Sequence, residues 1–220
     1  MPNFKDVFSN GLEKCSKYYL SSGKYDIMPK ICKEHLEPHS NVAVLAIGKL
    51  LDDIHYLRKS TDGNIALVDM DNSYPYELVS RATGDVFLPE EPEYYKTAAG
   101  LNDINNLFSE AGVTCFVEQF PPLPEGIPDS SIDAVFVMSL FATPTVNKRF
   151  SDGFQFYEEL IDSIDKKLAP GGKLIAEEAF GLDLLYTFMY VLTQNKPDFK
   201  WLGENTDRMS CWSVFQKPKK

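Results

Sequence analysis

The chain has 220 residues and a formal net charge of −10, from 22 Lys and Arg against 32 Asp and Glu. Its hydrophobic fraction of 44% and charged fraction of 25% exclude intrinsic disorder, and a chain this long buries enough surface to need no disulfide or zinc staple. The acidic balance repels polyanions at long range, which argues against nucleic acid or an anionic membrane surface as partner.

In chain order, Phe4, Val7, Phe8, Leu12 and Cys15 recur at helical spacing, and Asp26 is placed to cap a second helix running to Leu36. Residues 1–40 therefore read as a helical cap, ahead of a domain spanning 41–220. Asn41-Val-Ala-Val-Leu-Ala-Ile-Gly48 is a short apolar run ending in glycine, as expected of a strand buried on both faces of a parallel sheet. Residues 50–59 follow as a helix, and Asn64-Ile-Ala-Leu-Val-Asp69 is a second buried strand that ends in an acid. A helical pattern runs from Tyr94 to Ala111 with Gly112 as its stop, and Val113 to Phe120 is the third strand. The prolines between 121 and 128 require a loop before the fourth strand, Asp133 to Met138.

Phe150, Phe154, Tyr157, Ile161, Ile164 and Leu168 mark a long amphipathic helix closed by Pro170-Gly171-Gly172. A fifth strand follows at Lys173 to Glu177, then an apolar helix from Leu182 to Gln194 and two strands, 198–202 and 209–217. Strands alternating with helices imply parallel crossovers, and the helix-free final pair implies an antiparallel hairpin at one edge. The expected fold class is α/β, a doubly wound, seven-stranded and mostly parallel sheet in the order 3-2-1-4-5-7-6.

Cys15, Cys32, Cys115 and Cys211 form no CxxC and no zinc-like Cys–His spacing. Pro38 interrupts the His35–His39 pair, so no metal site is expected. The first residues carry acids early, unlike a signal peptide, and no apolar run is long enough to span a bilayer. The expectation is a cytoplasmic protein with reduced thiols and no membrane partner.

Two motifs carry a resemblance. Pro124-Glu-Gly-Ile-Pro-Asp-Ser-Ser-Ile-Asp133-Ala-Val-Phe-Val137 is similar to the LPFPDxSFDxV stretch of class I S-adenosylmethionine (SAM)-dependent methyltransferases, and Leu168-Ala-Pro-Gly-Gly-Lys-Leu-Ile175 is similar to their LxPGGxLxI turn. With the terminal hairpin, the resemblance covers roughly residues 40–217 and points to the small-molecule-type branch. It implies a Rossmann-like methyltransferase fold and SAM as cofactor. Doubly wound sheets bind ligands at the carboxyl ends of their central strands. That crevice would hold Gly48, where backbone passes close to a cofactor, and Asp69, whose carboxylate suits two ribose hydroxyls. Glu118 and Gln119 end the third strand near the family's contact to the adenine amine, and an amide oxygen at Gln119 can still accept from it. Met138 and Ser139 close the fourth strand. Leu140 and Phe141 beyond it, with Tyr18 and Tyr19 on the first helix, are candidate substrate contacts; ordinary packing is the plain alternative for each. For Asp69 the plain alternative is a cap for the segment after it. No catalytic residue is singled out, since methyl transfer needs mainly orientation.

The first loop departs from the family's (D/E)xGxGxG. Ala46 stands in place of the acid, Lys49 follows Gly48, and Leu50 and Asp52 replace the second and third glycines. A leucine narrows a pocket where glycine leaves room. A lysine about 4 Å from the net positive charge of SAM costs roughly 1 kcal/mol in water-like surroundings and about 4 at an effective dielectric of 20. Asp52 or Asp53 is placed to stand in for the missing acid. Two readings follow: a SAM-dependent methyltransferase acting on a small molecule, or a catalytically inactive scaffold that serves a protein partner. The same fold adapted to another ligand, an anionic one attracted by Lys49, is a third. The absence of GxGxxG after a strand argues against a dinucleotide dehydrogenase.

Overall fold

Val42–Leu45 (β1) is buried at every position in the computed structural model of the chain, as a strand covered on both faces should be. The structure describes residues 3–20, 27–45, 51–138, 140, 154–178, 182–206 and 211–219, excepting the side chains of 16–20 and 51–53. Seven strands form one sheet in the order β3-β2-β1-β4-β5-β7-β6, as the alternation predicts. They are β1, β2 (Ile65–Asp69), β3 (Val113–Val117), β4 (Ile132–Met138), β5 (Leu168–Glu178), β6 (Lys200–Thr206) and β7 (Cys211–Gln216). The pairs β2–β3, β1–β4 and β4–β5 are parallel, whereas β5–β7 and β6–β7 are antiparallel. Seven helices lie among the described residues: α1 (Phe4–Leu20), α2 (Ile27–His35), α3 (Leu51–Ser60), α4 (Tyr74–Thr83), α5 (Ala98–Glu110), α6 (Gln155–Lys167) and α7 (Leu182–Asn195). None of them is long and apolar enough to cross a membrane.

Contacts divide the chain into two compact units, Met1–Ser40 with Gly48–Val117 and Asn41–Ile47 with Glu118–Lys220. In the first, Phe4 and Phe8 of α1 stack at 5.2 Å and meet Phe108 of α5 edge-on at 6.3 and 5.5 Å. Gly11 lets α1 cross α4 closely, because a Cβ there would sit 1.7 Å from the Ala82 carbonyl oxygen. In the second, α6 and α7 bury Leu160, Ile161, Ile164, Leu185 and Phe188, and Tyr157 meets the Phe188 ring at 5.8 Å. Lys196, just past α7, pairs with Asp162 and Asp165 of α6 at 2.9 Å each. Lys217, just past β7, reaches Asp165 at 3.0 Å.

Four local expectations shift. β3 stops at Val117 rather than Phe120, ahead of Pro121 and Pro122, which lack the N–H a ladder needs. The helix expected from Tyr94 begins with a 3-10 turn, Tyr94–Lys96, and α5 starts only after Thr97. The Thr97 hydroxyl caps it by accepting from the Gly100 N–H at 3.2 Å. Pro170-Gly171-Gly172 does not stand outside the fifth strand but forms an irregularity within it. Between Ile132↔Leu168 and Ala134↔Lys173, β5 advances five residues where β4 advances two. Finally, α4 is a helix that the hydrophobic pattern does not announce.

Candidate functional site

The first unit places Asp69 at the carboxyl end of β2, opposite Val117 of β3 and half-buried. Its Oδ1 accepts the Asp71 N–H at 3.0 Å. Asp71 Oδ1 in turn accepts the Ser73 N–H at 2.9 Å and the Ser73 hydroxyl at 2.8 Å. Asp69 and Asp71 therefore both hold the turn that enters α4, which is the capping alternative the sequence offers for Asp69. The effect of these bonds is to fix the Asp69 carboxylate at the strand end. Its charge also reaches Cys115, whose thiol is pushed up mainly by burial and further by Asp69, so that thiol stays protonated and inert.

The second unit brings the carboxyl ends of β1, β4 and β5 side by side, with Leu45 opposite Val137 and Met138 opposite Glu177. Met138 and Leu140 are both buried, as are two acids that sequence reasoning assigned no role, Glu177 and Glu178. Burial pushes the Tyr157 hydroxyl of α6 up to about 12, and the Glu178 carboxylate adds to the shift. The available signal was an acid pair ending an otherwise apolar strand, which reads more simply as an exit to solvent.

Glu118 and Gln119 follow β3 directly and are exposed. Tyr18 and Tyr19 lie on α1, and Asp52 and Asp53 on α3, with side chains beyond the described ones. Ala46, Gly48, Lys49, Leu50, Ser139 and Phe141 lie outside the described residues.

Among solved structures, the chain is similar to a SAM-dependent methyltransferase from Aquifex aeolicus, with TM-score 0.53 and 13% identity over 86% of this chain and 88% of that one. It is similarly close to precorrin-6y C5,15-methyltransferase from Geobacter metallireducens GS-15, with TM-score 0.52 and 15% identity over 89% of both chains. The cyclase SpnF shares the architecture as well, at TM-score 0.52 and 12% identity over 89% of this chain and 81% of that one. No family model and no curated protein matches the sequence. At such identities the likeness establishes the fold, which is that of the class I SAM-dependent methyltransferases.

Proposed function

We propose that the chain is a cytoplasmic SAM-dependent methyltransferase acting on a small molecule. The observation that carries the reading is Asp69, a carboxylate fixed by the Asp71 N–H at the end of the second strand of this fold. An oriented carboxylate there suits a pair of vicinal hydroxyls such as those of a ribose, because it accepts from both without first being ordered. By the family resemblance, Gly48 is the candidate for a close approach to the cofactor, and Glu118 or the Gln119 amide oxygen the candidate acceptor for an adenine amine. Met138, at the end of β4, and Ser139 after it are further cofactor candidates by the same resemblance. Tyr18, Tyr19, Leu140 and Phe141 remain the substrate candidates that the family resemblance offers.

When bound, SAM supplies an electrophilic methyl group on a sulfonium. This chain's residues hold and orient the acceptor and exclude water, which is most of what an in-line transfer requires. The acidic, aromatic-rich composition favours a neutral, cationic or aromatic acceptor over a polyanion. Ala46, Lys49, Leu50 and Asp52 favour the second reading, a scaffold of the same fold that serves a protein partner. Calorimetric titration of the full chain with SAM and with S-adenosylhomocysteine separates the two. Saturable binding of either supports the cofactor site, and none at millimolar ligand supports the scaffold.

A further inference from the structure

The amino ends of β2 and β3 hold a different feature. A cavity of about 250 Å³ opens there between the start of α1, the end of α3 and the turn after α5. Its volume is several times the roughly 30 Å³ that one water takes up in the liquid. β2 spans the distance to Asp69, four residue rises or roughly 13 Å, so the cavity is separate from the site at the carboxyl ends.

Arg58 lines it. Nη1 donates to the carbonyls of Gly63, Ala111 and Gly112 at 2.9, 3.2 and 3.1 Å, and Nη2 donates to that of Thr61 at 2.5 Å. These bonds fix the guanidinium against the carbonyl end of α5, where a cation is favoured. Gly112 makes room for it, since a Cβ there would lie 2.8 Å from Nη1, and its φ of +66° suits only glycine well. Five N–H donors are present in an arginine, and these bonds leave Nε–H and one Nη2–H unused. No carboxylate pairs with Arg58 within 4 Å among the described residues, and burial lowers its pKa although Asp62 opposes the shift. Lys5 of α1, also in the lining, enters no ion pair among the described residues. Asp62 is the single acid in the lining, and His39 engages it at 2.5 Å. In a chain of net charge −10, two cations thus converge on one cavity, with Ser9 offering a hydroxyl and Phe8 an apolar wall.

We propose that this cavity is a second binding site, for the phosphate or carboxylate group of a small molecule held between Arg58 and Lys5. A fixed planar guanidinium with two unused donors matches the paired oxygens of such a group, and the exposed Lys5 ammonium can add a point charge. Ser9 and the Phe8 ring would contact the remainder of the molecule.

The test titrates the full-length protein with inorganic phosphate and with acetate, at constant ionic strength, following backbone amide shifts. Saturable shifts at Arg58, Ala111 and Gly112 with either anion are expected, and which anion binds more tightly identifies the group. Lys5→Glu and Ser9→Asp lie on the exposed face of α1, so both should fold. Each should weaken binding at least about tenfold, the scale of one lost charge-assisted hydrogen bond. Binding that is unchanged in both variants, shifts confined elsewhere, or no saturation with either anion would overturn the proposal.

Discussion

At Asp69 the Asp71 N–H has already oriented one carboxylate oxygen, so an incoming ribose would pay little to order it. Replacing Asp69 by Ala should weaken SAM binding by about 1.5–3 kcal/mol, the usual range for a hydrogen bond to a charged group. Asp69→Asn, which keeps an acceptor without the charge, should lose less. Calorimetry on both variants, with circular dichroism to confirm the fold, checks the assignment; unchanged affinity in folded Asp69→Ala rejects it. The place of Asp69 at a strand end was legible in the sequence because a lone acid closes an apolar run whose other members need burial. Glu177 and Glu178 were not, since acids ending a strand ordinarily mark its exit into solvent, whereas here both are buried.

Among the elements, the buried strands were the most legible, because an uninterrupted apolar run between turn residues fits little else. Helix α4 escaped because its entry is set by the Asp71–Ser73 bonds and its first turn carries Pro75, local chemistry that hydrophobic spacing does not register. Its contact with α1 is tight. Gly11→Ala would drive a methyl group into the Ala82 carbonyl, and the separation this forces should cost about 1–3 kcal/mol, towards the upper end. Urea unfolding measures it, and an unchanged midpoint would mean the helices can part freely. The α6–α7 pair is held differently. Burial pushes the Asp165 carboxyl up, but hydrogen bonds from Lys196 and Lys217 outweigh it and hold the pKa below the ordinary value. A carboxyl depressed on folding contributes stability above its unfolded value of about 4, and that stability is lost as pH falls through the lower folded value. Lys196 has the opposite sign. Burial lowers it, yet Asp162 and Asp165 raise it overall, so its contribution is full below about 10.4 and is lost as pH rises through the folded value. Asp165→Asn should therefore destabilise the protein at neutral pH, and the gap to wild type should close as the pH falls below about 4. A gap independent of pH would assign the effect to packing instead.

For the molecule as a whole, the net charge favours a cationic ligand over a polyanion, while the first loop opposes SAM in particular. SAM carries a sulfonium, an ammonium and one carboxylate, so a chain of net charge −10 attracts it and repels polyanions. Its affinity should therefore fall modestly as salt rises, whereas a structured RNA should not bind at physiological ionic strength. Against this attraction stand Lys49, which carries the same sign as SAM, and Leu50, a larger residue than the glycine of the family pattern. If the protein is a methyltransferase, wild type binds SAM, but more weakly than a glycine-rich loop would allow. Restoring the family pattern with Ala46→Asp and Leu50→Gly together should then tighten it, by returning a charge partner for the ammonium and room for the methionyl group. Titration of both proteins with SAM decides the matter. Binding by wild type that strengthens in the double variant supports the enzyme. No binding by wild type at millimolar SAM, with its circular dichroism intact, rejects the enzyme and leaves a scaffold that keeps the sheet and has lost the loop.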